Sequence, residues 1–168
     1  MRTAIASHSR IMTILLVLVC IALLMSGCSA LGFKQEAKDF TLPDFNGDMV
    51  ALSDYQDENI YLNFWASWCE PCVQEMPAIE KIYQENKDKG LVILTVNTGE
   101  DKATVEEYMK TNGYTFPVLM DLEMEVARQY KTASIPVSFF INKEGKIVTK
   151  KEGLMTEEEM RKAIGKLQ

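Results

Sequence analysis

The sequence predicts an α/β domain in which a mixed central β-sheet is flanked by helices. Three observations carry this. Short, almost continuously apolar runs at 60–65 and 91–96 have the length and composition of strands covered on both faces, and 137–141 reads as a further strand. Between them, residues 69–88 and 102–112 carry apolar side chains at helical spacing. The tetrad Asn142-Lys143-Glu144-Gly145 then joins the last run to residues 146–151, so the alternation of strand and helix closes on an antiparallel hairpin.

The elements follow in order. Phe40-Thr41-Leu42 and Met49-Val50-Ala51-Leu52 form two short strands around the turn pair Asn46-Gly47, an N-terminal β-hairpin. Ser53 and Asp54 are capping residues for a brief helical turn. After the strand 60–65, the helix 69–88 places Val73, Met76, Ile79, Ile82 and Tyr83 on one stripe, with Pro77 as a kink. The helix 102–112 buries Val105, Tyr108 and Met109; residues 116–120 form a strand and 123–130 a short helix. Thr156-Glu157-Glu158-Glu159 is a capping-box pattern opening a last helix that buries Met160, Ile164 and Leu167.

Composition narrows the function. Eighteen Lys+Arg against 24 Asp+Glu give a net charge of −6, with no basic stripe to neutralise phosphates, so nucleic acid is not a partner. The acid-rich runs at 106–107 and 157–159 read as solvated faces. The only histidine is His8, so the globular part supports neither Ser-His-Asp nor Cys-His catalysis, nor a histidine-containing zinc site.

The N-terminus is an address. Arg2 and Arg10 precede residues 11–25, in which only Thr13 is polar, and Ser26-Gly27-Cys28 follows. A basic start, a short apolar run and small residues before a cleavage point describe an export signal over residues 1–27. Leu24-Met25-Ser26-Gly27-Cys28 resembles a bacterial lipobox, which implies that Cys28 is acylated and becomes the mature N-terminus. The alternative is an uncleaved membrane anchor over 11–33, a stretch of 23 residues without charge. Either way the arginines stay cytoplasmic and the domain is extracytoplasmic. Residues 28–37 form a tether and residues 38–168 the domain. Cys20 is apolar filler within the signal.

Besides the anchor cysteine, the exported part holds only Cys69 and Cys72. One close pair does not make a disulfide scaffold, so the pair is read as reactive. Trp68-Cys69-Glu70-Pro71-Cys72 sits where the buried strand hands over to the long helix. Three-residue spacing on the first helical turn lets the sulfurs bond. Free N–H groups and the positive end of the helix dipole stabilise a thiolate at Cys69, the attacking sulfur. Cys72, one turn inward, is more buried and resolves the mixed disulfide. Pro71 fixes the backbone where no N–H is needed. Glu70 opposes the dipole and makes the pair more reducing. A zinc site lacks two further ligands, so no metal is expected; a c-type haem site needs His where position 73 is Val.

Asn63-Phe64-Trp65-Ala66-Ser67-Trp68-Cys69-Glu70-Pro71-Cys72 resembles the active-site stretch of the thioredoxin fold. Over residues 38–167 the chain resembles the membrane-anchored TlpA/ResA-type thiol–disulfide oxidoreductases of the AhpC/TSA–redoxin superfamily. The opening hairpin, Pro77, a central helix–strand insert ending Phe116-Pro117-Val118, and Ser134-Ile135-Pro136-Val137-Ser138-Phe139-Phe140-Ile141 all share in the likeness. The resemblance implies that the Ile135–Pro136 bond is cis and exposes backbone groups of Ile135 to an extended substrate, with Trp68, Glu70 and Pro71 alongside. Thioredoxins proper have a buried Asp where this chain has Asn63, which cannot take a proton from Cys72. Glu75 corresponds to the acidic residue of the ResA-like branch; partly buried, its pKa would rise, letting it shuttle the Cys72 proton or shape substrate choice.

The resemblance implies reduction of extracytoplasmic protein disulfides by a monomer without a cofactor, with apocytochrome c as one substrate and a CcdA-type membrane thiol carrier as electron donor. An alternative client is a repair enzyme such as methionine sulfoxide reductase. A peroxiredoxin-like peroxidase needs Thr at position 66, which is Ala; a non-catalytic binding module does not need the intact cysteines. Oxidase or isomerase action stays open, because direction depends on potential and donor.

Overall fold

The computed structural model describes residues 35–87 and 89–167. The export signal, Cys28 and the alternative anchor at 11–33 lie outside the described residues. Within them, no helix is long and apolar enough to cross a membrane. A two-stranded hairpin, β1 (Thr41–Pro43) with β2 (Met49–Ala51), precedes a five-stranded sheet. That sheet comprises β3 (Asn59–Trp65), β4 (Leu91–Thr98), β5 (Val118–Asp121), β6 (Val137–Ile141) and β7 (Ile147–Glu152) in the order β5-β4-β3-β6-β7. Strands β3, β4 and β5 run parallel, while β6 runs antiparallel to both β3 and β7. The helices are α1 (Glu70–Asn86), α2 (Lys102–Asn112), α3 (Glu125–Gln129) and α4 (Glu157–Ile164). The sheet is the mixed one predicted, and the fold is thioredoxin-like.

Strand alternation sorts the core into two layers. Tyr61 and Trp65 face one side of β3, where Met76, Ile79 and Ile82 of α1, Val105 and Met109 of α2, and Met160 of α4 pack. Ile60, Leu62 and Phe64 face the other, against Phe40 and Leu42 of the hairpin region and Val126 and Tyr130 around α3. Asn63 shares the face of Tyr61 and Trp65, so its polar side chain is turned towards α1.

Several boundaries differ from the sequence reading for local reasons. The first turn is a five-residue loop rather than an Asn-Gly pair. Asp44 Oδ1 accepts from the N–H groups of Asn46 (2.7 Å) and Asp48 (3.0 Å), with Gly47 at φ 88°. Leu52 leaves β2 and opens a 3-10 turn, Leu52–Tyr55, in which Asp54 reaches back to the Ala51 N–H at 2.8 Å. Strand β5 begins at Val118 rather than 116, since Pro117 has no N–H to give a ladder. Helix α3 is shortened to Glu125–Gln129 by Met124, whose φ is 55°. The capping box opens α4: Thr156 Oγ1 accepts from the Glu159 N–H at 3.2 Å, and Glu159 Oε2 accepts from the Thr156 N–H at 2.9 Å. Met160 and Leu167 are buried, while Val73, Tyr83, Tyr108 and Ile164 are only half-buried. At the sheet edge, residues 35–37, inside the stretch read as tether, lie along the β6–β7 hairpin. The Ala37 N–H donates to Gly145 O at 2.8 Å and the Ile147 N–H to Gln35 O at 2.9 Å.

Candidate active site

The site forms at the carboxyl end of β3. Trp65 ends the strand, Ala66-Ser67-Trp68 turns the chain, and Cys69 is the N-cap of α1 with extended backbone (φ −87°, ψ 101°). The turn closes through the Cys69 N–H on Ala66 O at 3.2 Å, and Cys69 O accepts the first helical bond from the Val73 N–H at 3.0 Å. Pro71 falls in the first turn, where helix N–H groups lack partners in any case. The sequence therefore places one cysteine at the helix tip and the other a turn inside it. They are disulfide-bonded, with Cα atoms 5.2 Å apart. Cys72 is fully enclosed, whereas Cys69 keeps 5% exposure, so the outer sulfur is the one a partner can reach. Glu70 is exposed and accepts from Gln74 Nε2 at 3.3 Å.

The Ile135–Pro136 peptide is cis, and Ile135 O lies 3.6 Å from Cys69 Sγ. Among the described residues, neither the N–H nor the C=O of Ile135 has a backbone partner. Beside them opens a groove of about 520 Å³, walled by Trp68, Cys69, Pro71, Met124, Ala127 and Ile135. Trp68 is 69% exposed at its rim. The site thus has a cysteine in the lining of a largely apolar groove and an unpaired stretch of backbone along one wall. Another cavity, of about 380 Å³ and bordered by Asp39, Tyr55, Asp57 and Lys143, contains no cysteine.

Glu75 is 1% exposed on α1. Its Oε1 accepts from Asn63 Nδ2 at 2.8 Å and its Oε2 from the Met155 N–H at 3.0 Å. Burial pushes its carboxyl up to about 7, an effect these two donors partly offset. The polar chain continues from Asn63 Nδ2 to Ser138 Oγ (3.1 Å) and on to Tyr61 Oη (3.3 Å). Burial, with the Glu75 charge behind it, holds the Tyr61 phenol far above its usual range.

The structure brings Cys69, Cys72, Trp68, Glu70, Pro71, Ile135 and Pro136 together, and buries Glu75 one helical turn beyond Cys72. Sequence reasoning missed Glu100. It is 8% exposed; its Oε2 accepts from the Ser67 N–H and from Asn97 Nδ2, both at 2.7 Å, and its Oε1 from Ser67 Oγ. An acid in a loop between a strand and a helix gives no signal of burial. The residues 132–134 and Met124 on the far wall of the groove were also missed, because only folding brings α3 to the cysteines.

A Cys-x-x-Cys pair at a helix tip, faced by a cis-proline turn on a mixed sheet, defines the thioredoxin-like redox class. The AhpC/TSA family profile matches residues 33–150. Thiol-disulfide oxidoreductase ResA of Bacillus subtilis (strain 168) is 39% identical over 150 residues, covering 86% of this chain and 84% of that protein. Among solved structures, a Chlorobium tepidum protein described as a thiol:disulfide interchange protein DsbE superposes with a TM-score of 0.75 at 30% identity, over 83% of this chain and all of the other. The pneumococcal exposed lipoprotein thioredoxin Etrx1 of Streptococcus pneumoniae strain TIGR4 gives 0.68 at 31% identity, over 76% of this chain and 98% of that one. The chain belongs to the AhpC/TSA family and, within it, to the ResA/TlpA-type thiol–disulfide oxidoreductases.

Proposed function

We propose that the enzyme works outside the cytoplasm as a reductant of protein disulfides, with Cys69 as nucleophile and Cys72 as resolving thiol. The observation that carries this reading is the position of Cys69: the reachable sulfur, 3.6 Å from Ile135 O, in the wall of the groove. An extended substrate strand pairs with the free Ile135 N–H and C=O and lies against Pro136, Trp68 and Pro71, which aligns its disulfide with Cys69 Sγ. The Cys69 thiolate attacks one substrate sulfur; the substrate S–S bond breaks, and the other sulfur leaves as a thiolate and takes up a proton. Cys72 then gives its proton towards the Glu75 carboxylate and attacks Cys69 Sγ. The mixed disulfide breaks, the second substrate thiol is released, and the Cys69–Cys72 bond forms. Two electrons have passed to the substrate.

The apolar run 11–25 followed by Ser26-Gly27-Cys28 supports attachment as a lipoprotein through Cys28, with an uncleaved helix over 11–33 as the other route. A membrane thiol carrier of CcdA type then re-reduces the pair, and apocytochrome c or a methionine sulfoxide reductase is the client. Trapping tests the reading. Cys72→Ser should hold substrates on Cys69 as mixed disulfides released by dithiothreitol, and Cys69→Ser should hold none. Failure of the wild-type protein to reduce insulin disulfides would remove the redox reading altogether.

A further inference from the structure

We propose that Glu100 is a positioning residue for the redox loop: its buried carboxylate clamps Ser67, two residues before Cys69, and sets a fixed negative charge beside the nucleophile. The inference rests on the thiol–disulfide reading of the cysteines. Three donors converge on this carboxylate, the Ser67 N–H, Ser67 Oγ–H and Asn97 Nδ2–H, so both the backbone and the side chain of Ser67 are held by one group. The clamp is mounted on the sheet. Asn97 pairs with Trp65 in the β3–β4 ladder, Thr98 Oγ1 reaches Trp65 O at 3.4 Å, and the Gly99 N–H donates to Asp121 O at 3.1 Å. Ala66-Ser67-Trp68 is thus tied to the end of β4, and with it the Trp68 rim of the groove and the Cys69 cap.

The charge has a second consequence. Among the described residues, no lysine or arginine nitrogen lies within 4.0 Å of Glu100; the nearest in sequence, Lys102, pairs with Glu106 instead. The anion is satisfied by hydrogen bonds but not neutralised. A thiolate at Cys69 gains from the helix N-terminus and loses to this carboxylate, as a like charge nearby disfavours the ionised form. The surrounding elements also carry Glu70, Glu75 and Lys81 on α1, Lys102, Tyr108 and Lys110 on α2, and Asp121 on β5; all stay in place when Glu100 alone is changed.

The test compares Glu100→Gln with Glu100→Ala in the full-length protein, each checked for native near-ultraviolet circular dichroism. The pH profile of Cys69 alkylation, read by mass spectrometry of its peptide, should move to lower pH in both variants. About one unit is expected, a tenfold gain in thiolate at a fixed pH below both midpoints. Insulin reduction separates the clamp from the charge. Glu100→Ala orphans the Ser67 donors and should raise KM about tenfold, whereas Glu100→Gln keeps an acceptor and should restore most of it. A Glu100→Gln profile that coincides with wild type overturns the proposal, as does a Glu100→Ala protein with wild-type KM. Either result would leave wild-type insulin reduction intact, which is how failure here differs from failure of the redox reading.

Discussion

Asn63 of β3 and Glu75 of α1 meet inside the protein: the amide Nδ2 donates to the carboxylate Oε1 at 2.8 Å. The contact crosses from the central strand to the helix that carries both cysteines. The second carboxylate oxygen is held by the Met155 N–H at 3.0 Å, so Glu75 joins three parts of the chain. Asn63 can neither give nor take a proton here, which leaves the buried Glu75, three residues after Cys72 on α1, as the titratable member of this contact.

Stability should therefore depend on pH through Glu75. Burial raises its carboxyl in the folded protein to about 7, from an ordinary 4.5. Between those values the folded state keeps the proton that the unfolded state releases. The stabilising contribution is full below 4.5 and is lost as pH rises through 7. The total amounts to on the order of 3 kcal/mol. Urea unfolding from pH 4 to 8 should show wild-type stability falling relative to Glu75→Gln across that window. Parallel profiles would remove the buried carboxyl from the account.

The same carboxyl should govern resolution of the mixed disulfide. A base of pKa near 7 one helical turn from an enclosed thiol is matched to removing its proton at neutral pH, and loss of such a group costs about a hundredfold. Stopped-flow release of a chromogenic thiol from Cys69 should thus be about a hundredfold slower in Glu75→Gln, while the initial attack keeps its rate. Unchanged release kinetics would assign Glu75 to structure alone.

The two layers of the fold were legible because β3, β4 and β6 are mostly apolar, broken only by residues such as Asn63, Thr95 and Ser138, and α1 carries a single apolar stripe. Pro71 and Pro77 did not obscure α1, since one lies in the first turn and the rest of the stripe specifies the helix. The cysteines were legible because their spacing means the same thing wherever a strand meets a helix. Glu100 was not, since its burial depends on Asn97 and Ser67 arriving from two strand ends. The groove's far wall was equally silent: Met124 and Ala127 look like ordinary members of a short helical stretch until α3 folds over the cysteines.

Trp68 offers a way to separate substrate recognition from sulfur chemistry. It is 69% exposed, so folding gains little from it, yet it borders the groove beside Cys69. An aromatic anchor of this kind contributes by contact with a polypeptide, which a small disulfide does not supply. Trp68→Ala should lower kcat/KM for insulin about tenfold, equal to ~1.4 kcal/mol of binding. Reduction of oxidised 2-hydroxyethyl disulfide should stay within about twofold of wild type. Equal losses on both substrates would mean that Trp68 shapes the cysteines rather than the groove.

The α4 cap should be coupled to the site, because the residue before it donates to Glu75. Thr156 accepts from the Glu159 N–H, and the neighbouring Met155 N–H holds Glu75 Oε2. Thr156→Ala removes the cap hydroxyl, a loss of about 1 kcal/mol in an ordinary helix. Here it also loosens the backbone that presents Met155. Glu75→Gln weakens the same contact from the other end by removing the charge that strengthens it. Two changes acting on one hydrogen bond do not add. The double variant should be less destabilised than the sum of the singles by about 0.5 kcal/mol or more, measured by urea unfolding at pH 8, where the wild-type carboxylate is ionised. Strict additivity would place the cap and the carboxylate in separate parts of the fold, and the Met155 contact would then carry no energy between them.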